Sequence, residues 1–319
     1  MIYTLTLNPA IDYTVFLDSL DRGEINRTKK ESISWGGKGI NVSRIFNVFG
    51  LPNTAIGLIA GFTGKALAEG VAAENIRTDF INLSRGRTRI NIKIQAGDQT
   101  EINSQGPEIS SSEFDRLLSK LRSLSQSDTI ILSGGAPASL SPVMYEDLLR
   151  AISYSGIRFI ADVSGPALQA AVKYKPFLIK PNKKELSAFV GREISDDMQD
   201  IQAAASEAII KGAQNVLVSL GSQGALLTNR SGCIVSPAPE GEVISSVGAG
   251  DALLAGFISA LHMNNINTIL WDTESTRVNI ACALRMAVAA GSAVAFSQPG
   301  TTPSLHDIHE LLTSFPKNP

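Results

Sequence analysis

Two cysteines in 319 residues, Cys233 and Cys282, stand far apart without metal-ligand spacing, which argues against a disulfide scaffold and fits a reducing compartment, the cytoplasm. Histidine is almost as scarce. Of three, His306 and His309 share i, i+3 spacing without a third ligand nearby and read as a surface feature. Neither sign of charge dominates, with 28 Lys and Arg against 30 Asp and Glu. No nucleic-acid partner and no anionic membrane are therefore implied, and any basic site must be local. No basic flank accompanies the opening Met-Ile-Tyr-Thr, and Arg285 interrupts the apolar tract 281–296, so neither a signal peptide nor a membrane span is predicted. Two nucleotide signatures are also missing. No Gly-x-x-x-x-Gly-Lys-Ser/Thr occurs, so a nucleotide would not be held in a Walker loop. The dinucleotide fingerprint fails because Gly248-x-Gly250 is followed by Leu253 where the third glycine belongs.

What is present fits an α/β protein. With 44% hydrophobic and 18% charged residues the chain can bury a sizeable core, as one large domain or two smaller ones. Short β-rich runs at 2–7, 129–132, 159–161, 177–179 and 216–218 are mostly separated by helical patterns at 39–49, 112–124, 142–154, 197–211, 251–263 and 275–296. That alternation predicts βαβ units and a doubly wound parallel sheet. In the helix at 251–263, Leu254, Phe257, Ile258 and Leu261 fall on one face, as packing on a sheet requires. Two stretches break the alternation, 11–35 and 87–101, the latter reading as paired strands around Ala96-Gly97-Asp98. They predict a small sheet over one edge. Asn8 and Asp12, Ser133 and Gly134, Asp162 and Ser164, Asn182 and Glu185, and Ser219 and Gly221 follow successive strands, where a parallel sheet gathers its ligand-binding loops.

Residues 245–251 read Ser-Ser-Val-Gly-Ala-Gly-Asp ahead of an apolar helix. Gly248, Ala249 and Gly250 would present amides that no helical carbonyl uses, at the positive end of the dipole, and Asp251 in the first turn could take a proton from a hydroxyl attacking a bound anion. A capping aspartate after a flexible turn gives the same letters. Strict alternation over 87–94 predicts a strand with Arg87, Arg89, Asn91 and Lys93 on one face, suited to gripping a substrate's phosphate, and Ile90, Ile92 and Ile94 on the other. The solvated face of an edge strand looks similar. In Trp35-Gly36-Gly37-Lys38-Gly39-Ile40-Asn41-Val42-Ser43 three glycines let backbone approach a ligand, while Asn41 offers the donor and acceptor that a polyol needs. The run 219–224, Ser-Leu-Gly-Ser-Gln-Gly, offers backbone to a nucleotide's phosphates or closes a tight β-turn. In Lys180-Pro181-Asn182-Lys183-Lys184-Glu185, Glu185 either caps a helix or holds magnesium, often through water.

Taken in order, Gly36 to Ser43, Lys180-Pro181-Asn182 with Glu185, Ser219-Leu220-Gly221 and Val247-Gly248-Ala249-Gly250-Asp251 resemble the ribokinase-like, PfkB-type sugar kinases over nearly the whole chain. Within that family, Thr6-Leu7-Asn8-Pro9-Ala10-Ile11-Asp12 and Thr88-Arg89-Ile90-Asn91-Ile92-Lys93 look most like 1-phosphofructokinases, with tagatose-6-phosphate kinases as neighbours. The resemblance implies a single domain over 1–319 with a β-sheet lid from segments at about 11–35 and 87–104. It implies Asp251 as base and Gly248 to Gly250 as anion hole. ATP would lie on Lys180, Asn182, Ser219, Leu220, Gly221, Ser222, Gln223 and Gly224, with Mg2+ near Glu185. Asp12, Gly37, Gly39 and Asn41 would hold the sugar. Arg89 and Lys93 would take its phosphate, helped by Lys38 and by Arg27, the latter reaching across a homodimer formed through the lids. The reaction implied is phosphorylation of fructose 1-phosphate at its 6-hydroxyl. Tagatose 6-phosphate or fructose 6-phosphate is the alternative acceptor, and a sugar-phosphate-binding regulator without turnover is the alternative of another class. An ionised Asp251 of lowered pKa suffices for a loose phosphoryl-transfer transition state. One departure stands out: where the family usually reads Gly-Ser-Leu/Val-Pro, this chain reads Gly134-Gly135-Ala136-Pro137 and has no hydroxyl to offer.

Overall fold

Runs of buried apolar residues pair in parallel at the centre of the protein, whose computed structural model describes residues 1–269 and 273–315. The chain runs β1 (Ile2–Thr6), β2 (Ala10–Phe16), β3 (Lys30–Gly36), α1 (Lys38–Val48), β4 (Asn53–Ala60), α2 (Gly61–Ala73), β5 (Arg77–Thr78), β6 (Ile81–Leu83), β7 (Arg89–Ala96) and β8 (Asp98–Asn103). It continues as α3 (Ser111–Arg122), β9 (Thr129–Ser133), α4 (Pro142–Tyr154), β10 (Arg158–Asp162), α5 (Pro166–Val172), β11 (Leu178–Ile179), α6 (Lys183–Val190) and α7 (Met198–Lys211). Last come β12 (Asn215–Ser219), β13 (Ala225–Asn229), β14 (Gly232–Ser236), α8 (Ala249–Met263), α9 (Glu274–Ala295) and α10 (Leu305–Thr313).

The large sheet has the order β14-β13-β12-β11-β10-β9-β1-β4-β5, with β6 also on β4. It is parallel except for β13 and β14, which double back antiparallel at one edge. Successive side chains of a strand point to opposite faces, so Ile130 and Leu132 enter one apolar core while Ile131 enters the other. Helices α3, α4 and α7 cover the first face, and α1, α8, α9 and α10 cover the second. The order reverses at β1, which has β4 on one side and β9 on the other, and a crevice opens there beyond the carboxyl ends of the strands.

All five predicted strands and six predicted helices are present within a few residues. β4 was not expected from the sequence. Every residue of Asn-Thr-Ala-Ile-Gly-Leu-Ile-Ala is buried, and a strand covered on both faces loses the period-two signal. The one-sided reading of α8 needs correction, because residues 251–261 are all buried: α8 lies against the sheet, α1 and α9 together. α9 is long and apolar enough to cross a membrane by length and composition, yet half of that stretch is buried inside the protein, against α8 and α10.

A second sheet of four strands, β3-β2-β7-β8, stands beside the crevice and matches the two irregular stretches. Its polar row pairs Ser34, Asp12, Asn91 and Asn103, and the adjacent row pairs Ile33, Tyr13, Ile92 and Ile102 on the other face. Near its root Ile11, Trp35 and Ile90 pack into a third apolar cluster with Ile40, Ile59 and Leu67.

Candidate active site

Asp251 lies in the first turn of α8, almost fully buried, and its Oδ2 accepts a 2.8 Å hydrogen bond from Asn41 Nδ2 on α1. No backbone amide of the helix end is bonded to this carboxylate, so the capping reading does not hold. The residue before the helix is Gly248, left-handed at φ 82°, a conformation that glycine adopts without strain. It supplies no capping side chain. The amides of Gly250 and Asp251 accordingly have no acceptor among the described residues, and that of Ala249 makes only a long 3.3 Å bond to the Ser246 carbonyl.

Two lysines and a second carboxylate complete this corner. Lys180, buried just after β11, places its Nζ 3.3 Å from where a side chain on Gly250 would begin. The same ammonium lies 3.0 Å from Asp162 Oδ1 at the end of β10, and Lys38 Nζ reaches that oxygen at 3.8 Å. Asp162 is 1% exposed and neither of its oxygens is in a hydrogen bond among the described residues, so both lysines hold it by charge. Burial, and then the Asp162 carboxylate, push the Asp251 pKa up to about 6, against the opposing pull of Lys180, Asn41 and Lys38. This is the reverse of the lowered pKa expected from the sequence. Asp162 in turn raises the pKa of Lys38 despite partial burial.

On the second sheet, Asp12 Oδ1 accepts from Asn91 Nδ2 at 2.8 Å and Oδ2 from Lys93 Nζ at 3.2 Å. Arg89 begins β7 and donates Nε to the Asn8 carbonyl at 3.1 Å, beside the end of β1, and burial lowers its pKa. The expected cation stripe is therefore shorter and partly neutralised. Arg87 is exposed and precedes the strand, and Lys93 is paired with Asp12. Arg27 lies exposed in the loop 17–29 and makes no hydrogen bond or ion pair among the described residues. The segment 36–41 joins both halves of the site. A side chain on Gly36 would begin 2.7 Å from Asp12 Oδ2, Gly37 and Gly39 lie against Thr6 of β1, Lys38 faces Asp162, and Asn41 faces Asp251.

The opposite flank matches the sequence reading only in part. Asn182 and Glu185 form a reciprocal capping box at the start of α6, Oδ1 accepting from the Glu185 amide and Glu185 Oε2 from the Asn182 amide. Glu185 is thus a cap, as the alternative held, and its Oε1 makes no hydrogen bond among the described residues. Within 219–224 the amides of Leu220, Gln223 and Gly224 close the turn on the carbonyls of Gly224, Leu220 and Gly221, and that of Ser219 bonds to the Pro181 carbonyl. Leu220 is also buried in the core, which leaves it neither a free amide nor an accessible side chain. Gly221 and Ser222 remain exposed with uncommitted amides. Gly135 has open space around its α-carbon. His306 and His309 are exposed on α10, and no group of three or more His, Cys, Asp or Glu side chains suited to a metal occurs among the described residues.

Three contributors were missing from the residues singled out as the site. Asp162 was visible only as an acid closing an apolar run, a position shared by many βα turns. Arg44 and Glu74 carried no motif. Arg44 donates to Asn41 Oδ1 at 2.9 Å and to Glu74 Oε2 at 2.7 Å, a contact that exists only once α1 and α2 pack together.

Known proteins with the same features are numerous. The description "pfkB family carbohydrate kinase" matches residues 4–308. A 1-phosphofructokinase of Bacillus subtilis is 37% identical over 298 residues, 93% of each chain. A D-tagatose-1-phosphate kinase of Bacillus licheniformis is 36% identical over 93% of each chain. Among solved structures, phosphofructokinase-2 of Escherichia coli in complex with fructose-6-phosphate superposes with a TM-score of 0.86 at 30% identity over 98% of each chain. By this match across nearly its whole length, and by a doubly wound sheet that opens on an uncapped glycine turn followed by an aspartate, the chain belongs to the pfkB family of carbohydrate kinases.

Proposed function

We propose that this protein transfers the γ-phosphoryl group of ATP to the 6-hydroxyl of fructose 1-phosphate, giving fructose 1,6-bisphosphate and ADP. The observation that carries the reading is Asp251, buried and, among the described residues, hydrogen-bonded only to Asn41, beside amides that no other described group uses. The acceptor sugar lies along 36–41 and Asp12, with its phosphate toward Arg89 and Lys93. As its 6-oxygen attacks, the proton passes to Asp251, a new O–P bond forms, and the bond to the ADP oxygen breaks. A carboxylate whose pKa is about 6 is ionised at neutral pH and still a better proton acceptor than one in water. The transferring group carries its charge on oxygens facing the Gly250 and Asp251 amides and Lys180, where fixed donors stabilise the loose transition state. The nucleotide runs from there toward Asn182, Gly221 and Ser222.

Magnesium fits the donor set. Glu185 keeps one carboxylate oxygen uncommitted, and its charge reaches the crevice, where it helps to raise the pKa of Lys38. A hard cation that retains its waters needs no more than one or two carboxylates besides the phosphates of its nucleotide. Bound there through water, it would supply charge neutralisation on the phosphates.

The four-stranded sheet acts as the lid over the sugar. Its outer row leaves Ile33 57% and Ile102 54% exposed, a face suited to pairing with a second copy in which Arg27 reaches the neighbouring site. The cytoplasm suits such an enzyme and its two unpaired thiols.

Coupled ADP release tests the reading. Measured over fructose 1-phosphate, fructose 6-phosphate, tagatose 1-phosphate, tagatose 6-phosphate and free fructose, kcat/KM is expected to be highest for fructose 1-phosphate by at least about tenfold. A higher value for a tagatose phosphate or for fructose 6-phosphate replaces the acceptor. Binding of sugar phosphate by calorimetry without ADP formation over hours makes the protein a regulator.

A further inference from the structure

Arg44 lies one turn beyond Asn41 on α1, and its side chain is 20% exposed. Its guanidinium is committed to three elements at once. Nε donates to Glu74 Oε2 at the end of α2 (2.7 Å), Nη2 to the Trp35 carbonyl in β3 (3.0 Å), and Nη1 to Asn41 Oδ1 (2.9 Å). Asn41 then donates Nδ2 to Asp251 Oδ2 (2.8 Å). The chain Glu74, Arg44, Asn41, Asp251 thus joins α2, α1 and α8, with a branch to the root of the second sheet.

A carboxamide is nearly symmetric in shape, so the polarity of its partners decides which way it faces. With a guanidinium N–H on Oδ1, the NH2 group of Asn41 must face the carboxylate. Turned over, the amide would set its hydrogens against Arg44 and its oxygen against Asp251, unfavourable at both ends. The fork and the three simultaneous bonds need arginine, since a lysine ammonium at the same place is a point donor on a flexible stem.

We propose that Arg44 is a positioning residue for the base: anchored by Glu74 and by the Trp35 carbonyl, it fixes the Asn41 amide so that its N–H groups face Asp251 and keep that carboxylate ionised and in place. The inference rests on the reading of Asp251 as the base. The other groups that face Asp251 are Asp162 from the end of β10, Lys180 from the loop after β11 and Lys38 from α1. Asp162 favours protonation of Asp251, whereas the two lysines and Asn41 oppose it, and Arg44 touches none of the charged members of this set. Its effect therefore passes through Asn41.

The test is the pH dependence of kcat/KM for fructose 1-phosphate in Arg44→Gln, in Asn41→Ala and in the double variant, with Asp251→Asn alongside. With the amide no longer fixed, the acid limb of Arg44→Gln moves up by about one pH unit, the worth of one hydrogen bond to a charged acceptor. Asn41→Ala moves it in the same direction, and adding Arg44→Gln to Asn41→Ala moves it no further. An acid limb that coincides with the wild type in a natively melting Arg44→Gln overturns the proposal, as does a full additional shift in the double variant. Should Arg44→Gln fail to fold, Arg44→Lys keeps the charge, loses the fork and gives the same readout. Loss of turnover in Asp251→Asn together with an unmoved limb in the Arg44 variants overturns the role of Arg44 alone. Wild-type turnover in Asp251→Asn removes the base, and this inference with it.

Discussion

Asp251 is held in an environment that favours its neutral form, and the cost of that arrangement falls on stability. Its folded-state pKa of about 6 is above the ordinary 3.8, so the folded protein binds a proton more tightly than the unfolded chain does. Stability from this group is present below about pH 4 and is lost as pH rises through 6. Asp251→Asn is neutral at every pH and keeps the shape. It is expected to lower kcat by about 10²- to 10⁴-fold with modest change in substrate affinity. The same variant is expected to melt no lower than the wild type at pH 7.5, since a buried charge has been removed. Purified Asp251→Asn with wild-type turnover would take the residue out of the role of base, and a large fall in its Tm would contradict the electrostatic account. Gly248, Gly250 and Asp251 were legible as residues because their spacing states a local geometry. Asp162 and Arg44 were not, because Lys180 and Glu74, the groups that hold them in place, are distant in sequence, and the one turn from Asn41 to Arg44 carries no motif.

Helix ends divide into those closed by side chains and those left open. α3, α4, α6, α7, α9 and α10 are capped by Ser110, Ser141, Asn182, Asp197, Thr273 and Ser304. α1, α2, α5 and α8 have no side-chain cap, and of these α1 and α8 begin with Gly37 and Gly248 and send their first turns into the crevice. At α1 and α8 the chain forgoes about 1 kcal/mol of capping each and keeps amides free for a ligand. The α3 cap shows the opposite use of a carboxylate. Glu113 accepts from the Ser110 hydroxyl and amide and from the Ser84 amide, which ties the end of β6 to α3 and holds its pKa down at about 2. That stability is present above about pH 4.5 and is lost as pH falls toward 2. Glu113→Gln is expected to lower Tm at pH 7 by about 2–4 °C, with the gap to wild type narrowing as pH falls below 4.5. A gap that stays constant from pH 7 to pH 3.5 would show that the charge of Glu113 contributes nothing.

For the whole molecule, the row Ile33, Tyr13, Ile92 and Ile102 forms a partly uncovered apolar face on the second sheet, with Ile33 and Ile102 exposed and Tyr13 and Ile92 half-buried. If copies pair there, Ile33→Glu with Ile102→Glu is expected to convert the oligomer to a monomer in sedimentation velocity at micromolar concentration. A wild-type monomer under the same conditions would remove the pairing. The alternation of Arg89 to Ile94 in the sequence already distinguishes the two faces of this sheet. The parallel pairing of β2 with β7, whose partners from Asp12↔Asn91 to Phe16↔Gln95 lie 79 residues apart in the chain, follows no local pattern and could come only from tertiary contacts. By itself the sequence determined the βα alternation, the glycine turn with its aspartate, the glycine-rich start of α1 and the cationic strand, because period, turn chemistry and helix ends are local properties of a chain. Tertiary structure alone decided that Asp251 is a raised carboxylate held by Asn41, that Lys93 is paired with Asp12, and that Arg44 and Asp162 belong to the site. Burial and charge pairing depend on which distant groups the packed sheet and helices bring within a few ångströms, and no spacing along the chain encodes them.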